Sequence, residues 1–268
     1  MNFVISPILF HVWGPLSVHA YGVFIAIGVC IGWVLVLHDN KLRSIISLDD
    51  LTVSFQLMLL SGFLGGRIID ILSQPKPIYN FLDLFKFWEP GFSILGSIIG
   101  IIVTTASYLY FKHIAILPYI DRMALYAPLV QSFGRMGCFF AGCCYGCPTS
   151  SWYSVMYQNP DHMAPLYQPL YPVQLYSSIM LMILFLFLFF IGQYHFKKQG
   201  ILFCVYLACV SIERFFMDFM RWDREFIWQK GFLSYLSIHQ WIALIVSICA
   251  IVSIIVINKW TKKPYGSV

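Results

Sequence analysis

Three arginines, Arg67, Arg135 and Arg214, lie inside long apolar stretches of the sequence. An arginine at the centre of a membrane-spanning helix costs about 2.5–3.5 kcal/mol on insertion scales, so such residues need an explanation. Asp70 and Asp218 follow Arg67 and Arg214 at spacings that place both partners on one helix face. One interpretation is therefore internal ion pairing. The other is an anion site, because a guanidinium group binds phosphate through a planar fork of donors, and a phospholipid headgroup supplies phosphate.

Glycines cluster beside these arginines and favour close helix packing. They are Gly62, Gly65, Gly66, Gly96, Gly100, Gly134, Gly137, Gly142 and Gly146. Small residues let helix backbones approach one another within a membrane. Such packing would also bring the arginines together around one cavity.

A cluster of four cysteines, Cys138, Cys143, Cys144 and Cys147, lies within ten residues. Three interpretations stay open. The thiols could form disulfides at an oxidising face, fill positions that polar side chains occupy elsewhere, or take part in metal or redox chemistry. The spacing lacks the two C-x2-C pairs of common zinc modules. We therefore assign no metal ligands and no cofactor from the sequence.

The composition identifies the class of protein that must position these side chains. Of 268 residues, 59% are hydrophobic and only 11% are charged. Soluble domains carry about 25% charged residues, because their outer shell must face water. The net charge of +5 is scattered rather than clustered, which argues against a nucleic-acid partner. The sequence predicts an all-α polytopic integral membrane protein.

Seven stretches are long and apolar enough to cross the hydrocarbon core, which takes about 20 residues. The predicted transmembrane helices cover roughly 19–38, 51–73, 92–111, 121–142, 173–193, 200–219 and 239–259. We expect them to form a single membrane domain over residues 1–268.

The distribution of basic residues predicts the orientation. One set of loops and the C-terminus hold Lys41, Arg43, Lys112, Arg122, Lys197, Lys198, Lys259, Lys262 and Lys263. The other set holds Lys76, Lys86, Arg221, Arg224 and Lys230. The richer side is predicted to be cytoplasmic, with the N-terminus outside and the C-terminus inside. The longer, aromatic-rich loops then face outward, which predicts an outward-facing working surface.

Five segments in order resemble the prolipoprotein diacylglyceryl transferase family. They are His19-Ala20-Tyr21-Gly22, Leu64-Gly65-Gly66-Arg67-Ile68, Gly134-Arg135-Met136-Gly137, Tyr171-Pro172-Val173-Gln174-Leu175-Tyr176, and the group Arg214, Asp218 and Arg221. The resemblance covers roughly residues 10–260.

The resemblance implies a reaction and a cellular place. The family moves a diacylglyceryl group from phosphatidylglycerol to the lipobox cysteine thiol of a prolipoprotein signal peptide, and glycerol phosphate leaves. The partners would be phosphatidylglycerol, the prolipoprotein and membrane lipid. The location would be the bacterial cytoplasmic (inner) membrane, with a multi-pass chain and an active site facing the periplasm or exterior.

The resemblance also implies roles for individual residues. Arg135 and Arg214 would be catalytic. As a separate hypothesis, His19 or Asp218 assists proton transfer. The expected substrate-binding residues are Tyr21, Arg67, Gly137, Gly146, Gln174, Tyr176 and Arg221.

The sequence also departs from the family pattern. Leu95 stands where the family usually has a histidine, and Cys138 and Cys143 replace an asparagine and an acid. The alternative function is therefore a non-enzymatic or redox-altered lipid-binding relative that has lost the catalytic histidine. A small-molecule transporter is a further alternative, against which the lack of an internal repeat speaks.

Overall fold

The structure, a computed structural model, describes residues 2–3, 6–13, 16–73, 93–224, 226 and 235–260. The strands are β1 (Asn2–Phe3), β2 (Ile8–Trp13), β3 (Leu16–His19), β4 (Val155–Tyr157) and β5 (Pro169–Leu170). The helices are α1 (Ala20–Leu37), α2 (Asn40–Arg43), α3 (Leu48–Ser73), α4 (Ile94–Phe111), α5 (Ile116–Ala141), α6 (Val173–Phe187), α7 (Gln193–His195), α8 (Ile201–Phe219) and α9 (Ile238–Trp260). A π-helical turn, Leu188–Gly192, joins α6 to α7.

The structure has a helix at each of the seven stretches that the sequence marks as apolar. Five of the described helices are long and apolar enough to cross a membrane: Ala20–Leu37, Leu48–Ser73, Ile94–Phe111, Val173–His195 and Ile238–Lys259. The other two, α5 and α8, carry three charged residues each. The mostly helical membrane protein is therefore confirmed, whereas the seven crossings and the orientation stay predictions.

Short strands precede α1 and lie between α5 and α6, and they were not predicted from the sequence. β2 and β3 pair antiparallel directly before α1, and the Ala20 N–H donates to the Pro7 carbonyl oxygen at 2.9 Å. β4 lies between β1 and β5 in a three-stranded sheet. This sheet encloses a small apolar cluster of Phe139, Val155, Tyr157, Ala164 and Leu170.

The chain divides into two compact units, of which the smaller covers residues 39–119. There α3 and α4 pack closely through glycines. A Cβ atom on Gly96 would lie 2.1 Å from the Gly65 carbonyl oxygen, and one on Gly100 would lie 2.4 Å from that of Ser61. These helices approach so closely because no side chain stands between them.

The larger unit covers residues 1–38 and 120–268 and contains the polar core. Buried Asp121 of α5 accepts hydrogen bonds from the backbone N–H groups of Gly200 at 2.6 Å and Phe203 at 2.8 Å. The carboxylate thereby caps the free N–H groups at the start of α8. Ser132 of α5 contacts Ser178 of α6 through paired hydroxyl and carbonyl bonds. These contacts fix α5, α6 and α8 relative to one another.

Candidate active site

A narrow cavity of about 10 Å³ lies in the larger unit, with room for about one water molecule. Its lining residues come from α5, α6, α8 and the loops beyond α5 and α8. They are Arg135, Cys144, Val173, Gln174, Ser177, Arg214, Met217 and Arg221. The lining therefore has three guanidinium groups and no carboxylate. A cavity with this charge favours an anion.

Helical periodicity explains how two elements supply most of this lining. On α6, Val173 and Ser177 are four residues apart, and on α8 and just beyond it Arg214, Met217 and Arg221 follow at spacings of three and four. Such residues lie on one helix face. The first turn of α6 thus forms one wall of the cavity, and the last turns of α8 form another.

A backbone ladder fixes the loop that completes the cavity. The Gly146 N–H donates to the Tyr171 carbonyl oxygen at 3.1 Å, and the Cys147 N–H donates to that of Met220 at 2.9 Å. Gly146 also forms an isolated bridge with Arg221. A Cβ atom on Gly146 would lie 2.6 Å from the Tyr171 carbonyl oxygen, so a larger residue would push these segments apart.

Asp218 is the buried counter-ion behind the arginines. Its side chain is 1% exposed, and its Oδ1 lies 3.7 Å from Arg214 Nη2 and 3.9 Å from Arg221 Nη1. Its Oδ2 accepts a hydrogen bond from the Ser237 hydroxyl and lies 3.7 Å from Arg224 Nε. One carboxylate thus faces three guanidinium groups, of which those of Arg214 and Arg221 line the cavity.

The arginines differ in how firmly they are held. Arg221 donates two hydrogen bonds to Asp223, at 2.8 and 2.7 Å. Burial lowers the pKa of Arg221, but the bonds to Asp223 outweigh this effect and hold that pKa above its ordinary value. Arg135, by contrast, has no hydrogen-bond or ion-pair partner within the described part of the chain. Its donors are therefore available to a ligand.

Buried Gln174 is the polar group that faces these cations from α6. Its Nε2 donates to the Cys143 carbonyl oxygen at 2.8 Å. Its buried Oε1 accepts no hydrogen bond from the described residues. Gln174 therefore holds the cysteine-containing turn and keeps one acceptor for a ligand.

The remaining predicted residues of the larger unit lie on α1, β3 and α6. Tyr21 packs against Gly137, where a Cβ atom would lie 3.0 Å from the Tyr21 carbonyl oxygen. His19 is exposed at the start of α1, with Nε2 3.0 Å from the Ser17 hydroxyl. Tyr176 is half-buried on α6. None of these three is among the residues that line the cavity.

Two residues that the sequence analysis singled out belong to the smaller unit. Arg67 is buried on α3, and its Nη1 lies 4.0 Å from Asp70 Oδ2. Leu95 is exposed on α4. The roles that the resemblance implies for these positions stay predictions.

The cysteine cluster divides into a group of three and one separate thiol. The Sγ atoms of Cys138, Cys143 and Cys144 all lie within 4.8 Å of one another, and all eight cysteines are free thiols. Cys147 stands apart, and its thiol donates to the Arg221 carbonyl oxygen at 3.5 Å.

Cys144 connects the group of three to the cavity. Hydrogen bonds from the neighbouring thiols of Cys138 and Cys143 lower the pKa of Cys144, and the guanidinium groups of Arg221 and Arg135 lower it further.

The sequence analysis missed three lining residues, Val173, Ser177 and Met217. They could have been predicted from their helical spacing, since each lies one to four residues from a residue that was predicted from the sequence. It also missed that Ser177 donates a hydrogen bond to buried Glu213 at 2.5 Å, and that Arg224 donates to Gln240 Oε1 at 2.7 Å. Both contacts are long-range, so no local pattern predicts them.

Comparison with known proteins identifies the family. The model of the prolipoprotein diacylglyceryl transferase family matches residues 7–256. The chain is 33% identical over 246 residues to a phosphatidylglycerol–prolipoprotein diacylglyceryl transferase of Clostridium tetani, covering 92% of this chain and 95% of that protein.

Two further clostridial proteins extend the comparison. A phosphatidylglycerol–prolipoprotein diacylglyceryl transferase 2 of Clostridium perfringens is 34% identical over 234 residues, or 87% of this chain and 88% of that protein. A phosphatidylglycerol–prolipoprotein diacylglyceryl transferase of Clostridium botulinum is 29% identical over 255 residues, or 93% and 97%. The chain therefore belongs to the prolipoprotein diacylglyceryl transferase family.

Proposed function

We propose that this chain transfers a diacylglyceryl group from phosphatidylglycerol to the lipobox cysteine thiol of a prolipoprotein. The family membership supports this reaction. The observation that carries it is the cavity lined by Arg135, Arg214 and Arg221 without a carboxylate. The phosphodiester of phosphatidylglycerol is an anion that these guanidinium groups can bind once the cavity of about 10 Å³ widens to admit it.

The reaction is a displacement at carbon. The thiolate of the lipobox cysteine attacks the glyceryl CH2 group that is bonded to the phosphate oxygen. A carbon–sulfur bond forms, the carbon–oxygen bond breaks, and glycerol phosphate leaves with the electron pair. Negative charge grows on the departing phosphate, so fixed guanidinium donors stabilise the transition state more than the bound lipid.

Arg135 is the residue to which we assign the main phosphate contact. It lines the cavity and its guanidinium group is not engaged by a described side chain. Arg214 and Arg221 would assist from the opposite wall. Arg214 Nη2 and Arg221 Nη1 lie 3.7 and 3.9 Å from Asp218 Oδ1, so their N–H groups can donate hydrogen bonds to a phosphate.

The thiol must lose its proton before or during the attack, because the thiolate is the nucleophile. The same guanidinium groups favour the thiolate electrostatically. We assign Asp218 a positioning role, since its carboxylate already faces three arginines and Ser237. His19 stays the proposed proton acceptor from the sequence analysis, and Tyr21 and Gln174 stay proposed substrate contacts.

The lipid donor also determines where the protein works. We propose a multi-pass chain with seven transmembrane helices in the bacterial inner membrane, its N-terminus outside and its C-terminus cytoplasmic. The cavity lies at the ends of α5 and α8 that the basic-residue distribution predicts to face outward. The signal-peptide cysteine of a secreted prolipoprotein would be accessible on that side.

A reconstituted assay tests the proposed reaction. Purified protein in lipid nanodiscs is mixed with phosphatidylglycerol and a peptide that carries a lipobox cysteine, and the peptide mass is measured. We expect a mass increase of one diacylglyceryl group. Arg135→Ala should lower the rate about 100-fold or more, the scale seen when one transition-state donor is removed.

Two matched variants sharpen the result. Arg135→Lys keeps the charge but loses the planar fork, so only part of the rate should return. Arg43→Ala removes an exposed arginine of α2 and should leave the rate unchanged. Phosphatidylglycerol-dependent modification that is equally fast in Arg135→Ala would contradict the assigned site. No modification by the unaltered protein would favour the non-enzymatic lipid-binding alternative.

A further inference from the structure

Three of the four clustered cysteines form a compact group at the end of α5. Cys138 lies on the last turn of that helix, and Cys143 and Cys144 lie in the turn that follows it. We propose that Cys138, Cys143 and Cys144 bind one thiophilic metal ion, Zn²⁺ or Cu⁺. The evidence for this ion does not rest on the proposed lipid transfer, but the two sites adjoin, because Cys144 lines the cavity with Arg135 and Arg214.

The sulfur positions match the size of such an ion. The three Sγ atoms lie within 4.8 Å of one another. Three thiolates around an ion at about 2.3 Å stand roughly 4 Å apart. Small side-chain rotations therefore bring all three sulfurs to bonding distance, without movement of the helix.

The backbone of the turn is shaped to bring these sulfurs together. Gly142 has φ +73°, and Cys144, which is not a glycine, has φ +58°. Only a few per cent of non-glycine residues adopt this left-handed conformation. The Cys143 N–H donates to the Cys138 carbonyl oxygen at 3.2 Å, and Gln174 Nε2 binds the Cys143 carbonyl oxygen at 2.8 Å. These bonds hold the turn folded back over the end of α5.

The surrounding charge suits a metal–thiolate complex. Thiols lose their protons when they bind a metal ion, so three thiolates with Zn²⁺ or Cu⁺ carry a net charge of −1 or −2. Cys144 lines the same cavity as Arg135, Arg214 and Arg221. The guanidinium groups offset this negative charge, as outer-shell partners do at metal sites.

The donor set selects the class of ion. Soft thiolate sulfur favours Zn²⁺ and Cu⁺ over Mg²⁺ and Ca²⁺, which prefer oxygen. Three sulfurs complete a trigonal set for Cu⁺ or leave one open position on Zn²⁺. Cys147 is not needed, because its thiol is directed to the Arg221 carbonyl oxygen. Cys138, Cys143 and Cys144 are all partly exposed residues.

A metal titration tests the site on the full-length protein. The purified protein is reduced under anaerobic conditions, and Zn²⁺ or Cu⁺ is added in competition with a chromophoric chelator. We expect one ion per chain for at least one of the two metals. Cys143→Ser and Cys144→Ser should each weaken binding more than about tenfold, since even loss of an outer-shell partner costs 10–100-fold.

Cys147→Ser is the matched control, because it removes a thiol from the same loop but not from the group of three. It should bind the ion as tightly as the unaltered protein. An alkylation experiment on the unaltered protein tests the same site without any variant, in case a variant does not fold. Bound metal should slow alkylation of Cys138, Cys143 and Cys144, read by peptide mass spectrometry, and leave Cys147 unprotected. Absence of binding by the reduced protein, or equal loss in Cys147→Ser, would overturn the proposal.

Discussion

The carboxylate of Asp218 lies between the guanidinium groups of Arg214, Arg221 and Arg224, at 3.7–3.9 Å from each. At such distances the carboxylate attracts the guanidinium groups and orients them, but it does not accept hydrogen bonds from their N–H groups. The neighbouring Ser237 hydroxyl fixes the carboxylate in turn. If Arg214 and Arg221 bind the lipid phosphate as proposed, Asp218 orients them without touching the phosphate.

We predict that Asp218→Asn lowers kcat between about tenfold and a hundredfold, the cost of a small misplacement of catalytic groups. The KM for phosphatidylglycerol should stay the same or fall, because the cavity gains positive charge. Reconstituted steady-state kinetics with the lipobox peptide measures both quantities. A purely structural role would reduce the amount of folded enzyme and leave both constants unchanged for the folded fraction.

The sequence predicted the cavity residues that belong to family motifs better than those that depend on contacts between distant helices. Arg135, Arg214 and Gln174 were selected from the family resemblance, and all three line the cavity. Ser177 lines it too but was not predicted as a site residue. Its role depends on a contact with Glu213, 36 residues away in sequence. A single sequence carries no signal for such a pairing.

At the scale of elements, the helices were predicted within a few residues at each end. Hydropathy marks five of them clearly, because a span must be apolar over about 20 residues, whereas α5 and α8 carry three charged residues each. The largest differences are at α5, which begins at Ile116 rather than near 121, and at α6, which ends at Phe187 and continues as the π-helical turn Leu188–Gly192. Pro118 lies in the first turn of α5, where a missing N–H costs nothing. The five short strands were not predicted, since two to six residues give no measurable periodicity.

The packing of α3 on α4 depends on glycine at a few positions. We predict that Gly96→Ala lowers the melting temperature clearly, because its Cβ atom would lie 2.1 Å from the Gly65 carbonyl oxygen. Overpacking of this kind typically costs about 1–3 kcal/mol. Thermal unfolding in detergent, followed by circular dichroism, measures the effect.

Gly62→Ala is the control within the same helix pair. Its Cβ atom would meet only the flexible side chain of Ile101 at 3.1 Å, and alanine favours a helix over glycine by about 1 kcal/mol. Its melting temperature should therefore stay close to that of the unaltered protein. Equal melting temperatures for Gly62→Ala and Gly96→Ala would show that the close approach of the two backbones is not as described.

At the scale of the whole molecule, an apolar helical chain holds a cavity lined by arginines, and we propose that its ligand is a lipid headgroup. Composition predicted the membrane class, and the resemblance predicted the chemistry. The sequence could not show that three arginines from two helices and a loop reach one cavity, since that depends on the ladder between residues 145–147, 171 and 220–222. The packing of these segments thus forms the cavity in which we propose that the reaction takes place.

The central claim is that this cavity binds the phosphodiester of phosphatidylglycerol. Native mass spectrometry of the purified protein with equal amounts of phosphatidylglycerol and diacylglycerol measures it directly. The unaltered protein should retain phosphatidylglycerol in preference. Arg135→Ala and Arg214→Ala should each weaken retention about tenfold or more, because a hydrogen bond to a charged group contributes about 1.5–3 kcal/mol. Equal retention of diacylglycerol, or unchanged retention of phosphatidylglycerol by both variants, would contradict it.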